Sequence, residues 1–322
     1  YATWPQLVAD PSVQLIDNSG PNYIHNDVMV AAAAAGKHVL CEKPLGRNAA
    51  ESRQMFEAAQ RADVKHMVGF NYRFVPAVRK AKHLIDQGAL GRIYHFRARY
   101  CQDWGADPEQ PLVWRFQKTL AGSGVLGDLG SHIVDLARFL IGEPTVVNGR
   151  FKTFTSERPL PSDLRVRGTV DVDDAFVALV EFENGAVGTL EATRFAVGRK
   201  NVNVFEINGS EGSLSFNLER LNELEVYTQP EGSNGRSGFL TELITGPDDP
   251  FIEWWWPPGH ILGWEHTFVH EIHHMLHAIV NDADVAPYGA TFEDGWRCDV
   301  ILEAIARSDA DGGAPVDISY TP

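Results

Sequence analysis

Before Gly91, short apolar runs alternate with longer amphipathic stretches. Residues 4–9 carry the spacing of a short helix. Residues 13–16 form an apolar run ended by the turn formers Asn18, Ser19, Gly20 and Pro21. Residues 25–35 predict a helix closed by Gly36 as C-cap. Residues 38–41 predict a strand, Asn48 caps a helix over 49–62, and a strand over 64–69 precedes a helix over 76–87. Strands alternating with helices predict a parallel sheet covered on both faces.

The pattern changes after Gly91. Residues 93–100 alternate apolar and polar with period two, as do 146–154, 174–183, 186–194 and 203–208. Asn184-Gly185 is a strong hairpin signal, and 214–216 and 224–227 add short strands. Helices are predicted over 131–140, 265–280 and 294–308. This is an α+β arrangement with a large, mostly antiparallel open sheet. Phe176, Val180 and Val187 look too apolar for water, so the sheet is expected to join copies in a homo-oligomer, a dimer or tetramer. The stretch 229–263, rich in Gly, Pro and Trp, reads as a mobile flap.

Composition narrows the options. Lys+Arg 28 against Asp+Glu 43 gives a net charge of −15, with no basic run, which argues against nucleic acid and anionic membranes. Cys41, Cys101 and Cys298 form no CxxC and are too few for a disulfide framework, so a reducing, cytoplasmic setting is expected. No apolar run approaches the ~20 residues needed to span a bilayer, and no signal peptide is visible. The opening from Tyr1 reads like the middle of a domain, so a preceding segment is expected.

Four stretches carry candidate chemistry. CEKPLGRN delivers Lys43 to the carboxyl end of a predicted strand, where open α/β sheets bind ligands; an isolated loop lysine is otherwise a solvated one. AGSGVLGDLGSHIVDLARFL runs a glycine-rich loop into a helix. It sets Asp128 and His132 four residues apart, so that the carboxylate can fix the imidazole tautomer for general-base work. The bland alternative makes Asp128 a helix cap and His132 a core residue. Pro21, Asn22 and His25 lie in another loop at the sheet's carboxyl edge, where Asn22 also reads as a helix cap. Finally, His270, Glu271 and His274 satisfy H-E-x-x-H, with Glu293 downstream as a third zinc ligand. The competing reading makes Phe268, Ile272, Met275 (or Leu276) and Ile279 the buried stripe of that helix, with the histidines opposite.

Taken in order, these pieces resemble the Gfo/Idh/MocA family of NAD(P)-dependent oxidoreductases. The resemblance rests on Pro21-Asn22…His25, AGKHVLCEKPL, GFNYRF, GALGRI, GDLGSHIVDL, EINGSEGSL and TFEDGWRCDVILEAIARS. It implies an α/β Rossmann domain over 1–91, incomplete at its N-terminus, and a substrate-binding and oligomerisation domain over 92–322. It implies NAD or NADP as cofactor and Lys43, Asp128 and His132 as the catalytic set. Pro21, Asn22, His25, Glu42, Lys43, Asn71 and Arg73 are then the expected cofactor contacts. The family's opening G-x-G-x-x-G does not occur at the start of these residues.

The stretch 100–124 resembles the family subgroup that oxidises pyranose sugars or glycosides. On that reading a secondary hydroxyl carbon of such a sugar, or of an inositol-like polyol, gives its hydride to NAD(P). Gln102, Trp104, Arg115, Gln117 and His260 are the candidate substrate contacts, with Trp255 and Trp256 reaching in from the flap. No metal is expected. The alternatives are an NAD-dependent glycosidase of the same family and the zinc hydrolase.

Overall fold

A computed structural model describes residues 1–228 and 237–320, so part of the expected flap, 229–236, lies outside the described residues. The chain opens with α1 (Trp4–Ala9) and β1 (Leu15–Asn18), followed by α2 (His25–Ala34), β2 (His38–Cys41), α3 (Ala49–Ala62), β3 (His66–Val68) and α4 (Pro76–Asp86). The three strands pair in parallel in the order β1-β2-β3. Local chemistry sets the breaks. Gly36 takes φ +72° after α2, and the Asn48 side chain accepts from the Glu51 N–H to start α3.

From β4 (Ile93–Cys101) onward the chain builds the second sheet. α5 (Lys118–Ala121) and α6 (Ser131–Leu140) precede β5 (Pro144–Lys152), and a separate hairpin joins β6 (Glu157–Leu160) to β7 (Asp163–Thr169). Then come β8 (Ala175–Phe182), β9 (Val187–Thr193), β10 (Val202–Gly209), β11 (Gly212–Asn217), β12 (Glu223–Thr228) and β13 (Leu240–Leu243). The chain continues through α7 (His266–Val280), α8 (Phe292–Ala310) and β14 (Val316–Asp317). Nine strands lie in the order β13-β12-β11-β10-β4-β9-β8-β5-β14. All neighbours are antiparallel except β4 and β9. α4, α6 and α8 pack on the sheet, and one apolar core runs from the first sheet into the second across residue 91. α8 also lies along α3, and an isolated bridge ties Val68 to Ala290. None of the described helices is long and apolar enough to cross a membrane.

Two expectations about faces are overturned. Phe176 and Val180 point into the core; the strand's outward set is Val177, 54 % exposed, and Leu179, 58 % exposed, with the exposed Val187 on the neighbouring β9 opposite Glu181. Alternation along β8 makes that a matter of one-residue parity. On α7 the buried residues are Thr267, His270, Glu271, Met275 and Ala278, whereas Ile272 and Leu276 are exposed. Hydrogen bonds hold this polar face inward: His270 Nδ1 meets the Phe74 carbonyl at 3.0 Å and His274 Nε2 the Val285 carbonyl at 2.8 Å.

Candidate active site

The carboxyl ends of β1, β2 and β3 open onto one cleft of about 430 Å³, walled on its other side by the second sheet and α7. Ligands of parallel sheets sit at such ends, where the loops diverge. Pro21, Asn22, Glu42, Lys43 and Asn71 line the cleft together with Asp128, His132, Gln102 and Arg115.

The turn before α6, which carries Asp128, is built by close backbone approach. Gly122 to Gly127 spells G-x-G-x-x-G, yet a Cβ on Gly124 would stand 1.9 Å from the Asp173 carbonyl oxygen. One on Gly122, at φ +86°, would stand 2.3 Å from that of Arg47. These glycines make room for protein rather than for a phosphate. The buried Asp173 carboxylate accepts from the Gly124 and Leu126 N–H groups, both at 2.7 Å, fixing the turn's entry. The turn itself, Leu126–Gly130, is π-helical and runs straight into α6; π-turns concentrate at functional sites.

That wide turn changes the expected pairing. The Lys43 ammonium donates to the Asp128 carbonyl at 2.8 Å and to its Oδ1 at 3.0 Å. Asp128 therefore serves Lys43 and neither orients His132 nor caps α6. His132 Nδ1 is buried with no hydrogen-bond partner. Its ring packs on Tyr72, centroids 4.5 Å apart, and near Phe70 and Tyr100. Burial, aided by the Lys43 charge, pushes His132 well below the ordinary histidine range, so the ring is neutral at neutral pH. Burial alone would raise the Asp128 carboxyl; Lys43, Arg115 and Arg194 outweigh it and hold the group below its usual value. Glu42 goes the other way, raised by burial against the pull of Lys43.

Several expected contacts lie outside the cleft. His25 is fully buried and bonds the Pro44, Leu45 and Gly20 carbonyls, so it staples the β1 and β2 loops together. Asn22 stays at the cleft but caps no helix; its Nδ2 donates to the Ala121 carbonyl at 2.8 Å, across to the loop that leads into Asp128. Arg73 is buried in a bidentate pair with Asp135. Trp104 packs on Phe116, and Gln117 sits at the start of α5. His260 is exposed with Nδ1 on the Pro257 carbonyl. Trp256 is 90 % exposed, and Trp255 donates to His270 Nε2 at 2.8 Å. Conversely, Tyr72, Tyr100, Trp114 and Trp264 line the cleft without having been singled out, and Phe268, expected in the buried stripe of its helix, lines it too. Tyr72 lies within GFNYRF, and Trp114 adjoins Arg115. Trp264 and Phe268 are brought in by α7, which the Asn71–Thr267 bond at 2.8 Å pins to the cleft.

The zinc alternative finds no support in this geometry. His270 uses both ring nitrogens on protein partners, His274 bonds a carbonyl, and Glu293 pairs with Arg297 at the start of α8. Among the described residues no group of three His, Cys, Asp or Glu is placed to hold a metal ion.

The family model described as "Oxidoreductase family, NAD-binding Rossmann fold" matches residues 1–70, and "GFO/IDH/MocA C-terminal domain" matches 78–215. The chain belongs to the Gfo/Idh/MocA oxidoreductase family. Levoglucosan dehydrogenase of Pseudarthrobacter phenanthrenivorans is 45% identical over 319 residues, covering 95% of this chain and 80% of the relative. Myo-inositol 2-dehydrogenase of Thermotoga maritima is 29% identical over 248 residues, covering 77% of this chain and 69% of the relative. A solved levoglucosan dehydrogenase in complex with NADH and levoglucosan superposes with TM-score 0.94 at 45% identity, covering 100% of this chain and 84% of that one. The residues of this Gfo/Idh/MocA chain fit the reactive end of a nicotinamide cofactor. Three carboxyl-end loops converge on a cleft that also holds a neutral imidazole and a fixed ammonium.

Proposed function

We propose that this enzyme oxidises a ring hydroxyl of a pyranose sugar, a glycoside or a related cyclic polyol, with NAD or NADP as hydride acceptor. The observation that carries the reading is the neutral His132 ring in the same cleft as the Lys43–Asp128 pair. NAD(P) supplies the electrophilic carbon that takes the hydride. Pro21, Asn22, Glu42, Lys43 and Asn71 are the residues that would hold it.

As the carbinol C–H bond breaks, the O–H proton must leave too, and the neutral imidazole of His132 accepts it. The product is a ketone. Lys43 donates to the same oxygen and stabilises its developing negative charge. Asp128 keeps the ammonium aimed into the cleft. Gln102 and Arg115 supply polar contacts to the remaining hydroxyls. Trp114, Trp264 and Phe268 offer apolar faces suited to sugar C–H groups.

The uncovered sheet face supports assembly into a homo-oligomer. A groove of about 880 Å³ lies there, lined by Arg97, Val177, Leu179, Thr189 and Glu206, away from Lys43 and His132. Its exposed apolar residues suit a homo-oligomer better than water. Three unpaired, buried cysteines agree with a cytoplasmic location.

The test is turnover. Purified protein is mixed with NAD or NADP and a panel of pyranoses, anhydrosugars and inositols, and reduced nicotinamide is followed by absorbance. Turnover of at least one cyclic polyol is expected. Cofactor binding with no turnover across the panel would sink the reading.

A further inference from the structure

The polar wall of the cleft is not free to choose which atoms it offers. Asn201, immediately before β10, has its Oδ1 accepting from the Tyr100 hydroxyl at 2.7 Å and from Gln102 Nε2, also at 2.7 Å. A carbonyl oxygen only accepts, so the single hydroxyl hydrogen of Tyr100 is committed to Asn201. The 2.7 Å contact between the Tyr72 and Tyr100 hydroxyls must then run from Tyr72 to Tyr100. Gln102 Nε2 reaches Tyr100 as well, at 3.4 Å. What remains for a ligand is acceptor capacity: the lone pairs of Tyr72 and the Oε1 of Gln102. The cationic donors Lys43 and Arg115 line the same cleft.

Asn201 does not itself line that cleft. It lines a neighbouring groove with Leu218, Leu262 and Trp264, and its backbone N–H donates to Glu219 Oε1 at 3.2 Å. It acts on the cleft through Tyr100 and Gln102.

We propose that Asn201 is a positioning residue that sets the hydrogen-bond polarity of the substrate wall, so that the wall selects sugars presenting donor hydroxyls to Gln102 and Tyr72. The proposal rests on the sugar-dehydrogenase reading above. Substrates with an ether oxygen or no oxygen at that place are discriminated against because a buried acceptor is left unpaired.

The test compares Asn201→Leu, which abolishes the acceptor, with Asn201→Asp, which retains it. Each is assayed on the preferred pyranose and on its monodeoxy analogues. Asn201→Leu is expected to raise KM about tenfold on the parent sugar with kcat little changed, the loss of about one oriented hydrogen bond. On the analogue lacking the recognised hydroxyl, wild type and Asn201→Leu should share the same KM. Asn201→Asp should behave like wild type. An equal KM rise on parent and every deoxy sugar would mark general damage and overturn the assignment. An Asn201→Asp as impaired as Asn201→Leu would also overturn it, because it would mean that the amide donates. Wild-type turnover is scored first: its absence overturns the dehydrogenase reading and this proposal together. Wild-type turnover with an unshifted Asn201→Leu overturns the polarity assignment alone.

Discussion

Lys43→Met removes the ammonium while keeping most of the side-chain volume. Two effects oppose each other. The donor lost at the developing alkoxide is worth about 3–4 kcal/mol, or ~10²–10³-fold in kcat. In the other direction, His132 loses a neighbouring positive charge that depresses its pKa, and becomes a stronger base. Burial is the larger cause of that depression and stays in place, so only a fraction of the rate returns. The fold should lose stability as well. The Lys43–Asp128 pair is mostly buried, with side-chain exposures of 16% and 25%, and removing the ammonium leaves a largely buried acceptor without its partner, at a cost of about 1–3 kcal/mol. Asp128→Asn is the companion variant. It leaves the Lys43 charge and its 2.8 Å bond to the Asp128 carbonyl, so its kcat loss should be about tenfold, one weakened charge-assisted bond. The assay is kcat at saturating sugar, with urea midpoints measured in parallel. A Lys43→Met enzyme within about fivefold of wild-type kcat would refute the alkoxide role. So, for the pairing, would an Asp128→Asn enzyme more damaged than Lys43→Met; that order would place Asp128 behind His132 after all.

Three further outcomes are expected. An NMR titration of His132 should show a midpoint below 6.5 that rises in Lys43→Met. Because the unfolded histidines titrate near 6.5 while burial holds His132 well below and His66 and His270 at about 4, the unfolded chain takes up protons first as pH falls. Stability should therefore drop as pH is lowered below 6.5, read as a falling urea midpoint. Gly124→Ala forces a Cβ onto the Asp173 carbonyl and should cost about 1–3 kcal/mol by overpacking, together with kcat, since the same turn carries Asp128; an unchanged midpoint would count against the account of that loop. Val177→Asp combined with Leu179→Asp should shift light scattering toward a smaller species, and an unaltered mass would remove the sheet face from the interface.

Legibility in the sequence followed the range of the forces involved. α6 was read to the residue, and α3 with its Asn48 cap was equally plain, because capping and helical periodicity are local. The β6–β7 hairpin was missed: β7 is exposed along most of its length and shows no alternation, and β6 instead buries Arg158 against Phe116. The inward face of α7 is legible only in part: Met275 is buried and Ile279 packs beside it, but hydrophobicity ranks Ile272 above His270 while a partner 196 residues away decides otherwise. Lys43, Asp128 and His132 could be named from their motifs. Which of them Asp128 serves depends on a π-turn, and four-residue spacing cannot distinguish that from an α-turn. Trp264 and Phe268 reach the cleft only through the docking of α7 by Asn71 and Thr267.

The packing of α8 along α3 has a consequence for the order of events during synthesis. Met55, Ala58 and Ala59 of α3 belong to the same apolar core as Ile301, Leu302 and Ile305 of α8. Asp299 and Glu303 of α8 accept the N–H groups of Gly46 and Ala49 at the head of α3. Those partners leave the ribosome roughly 250 residues later, a delay of about 10–50 s at ordinary translation rates. Throughout that interval the nascent first sheet carries a greasy flank with nothing to lie against it. A premature stop before Phe292 would thus leave this flank of α3 uncovered, the kind of exposed apolar surface that aggregates.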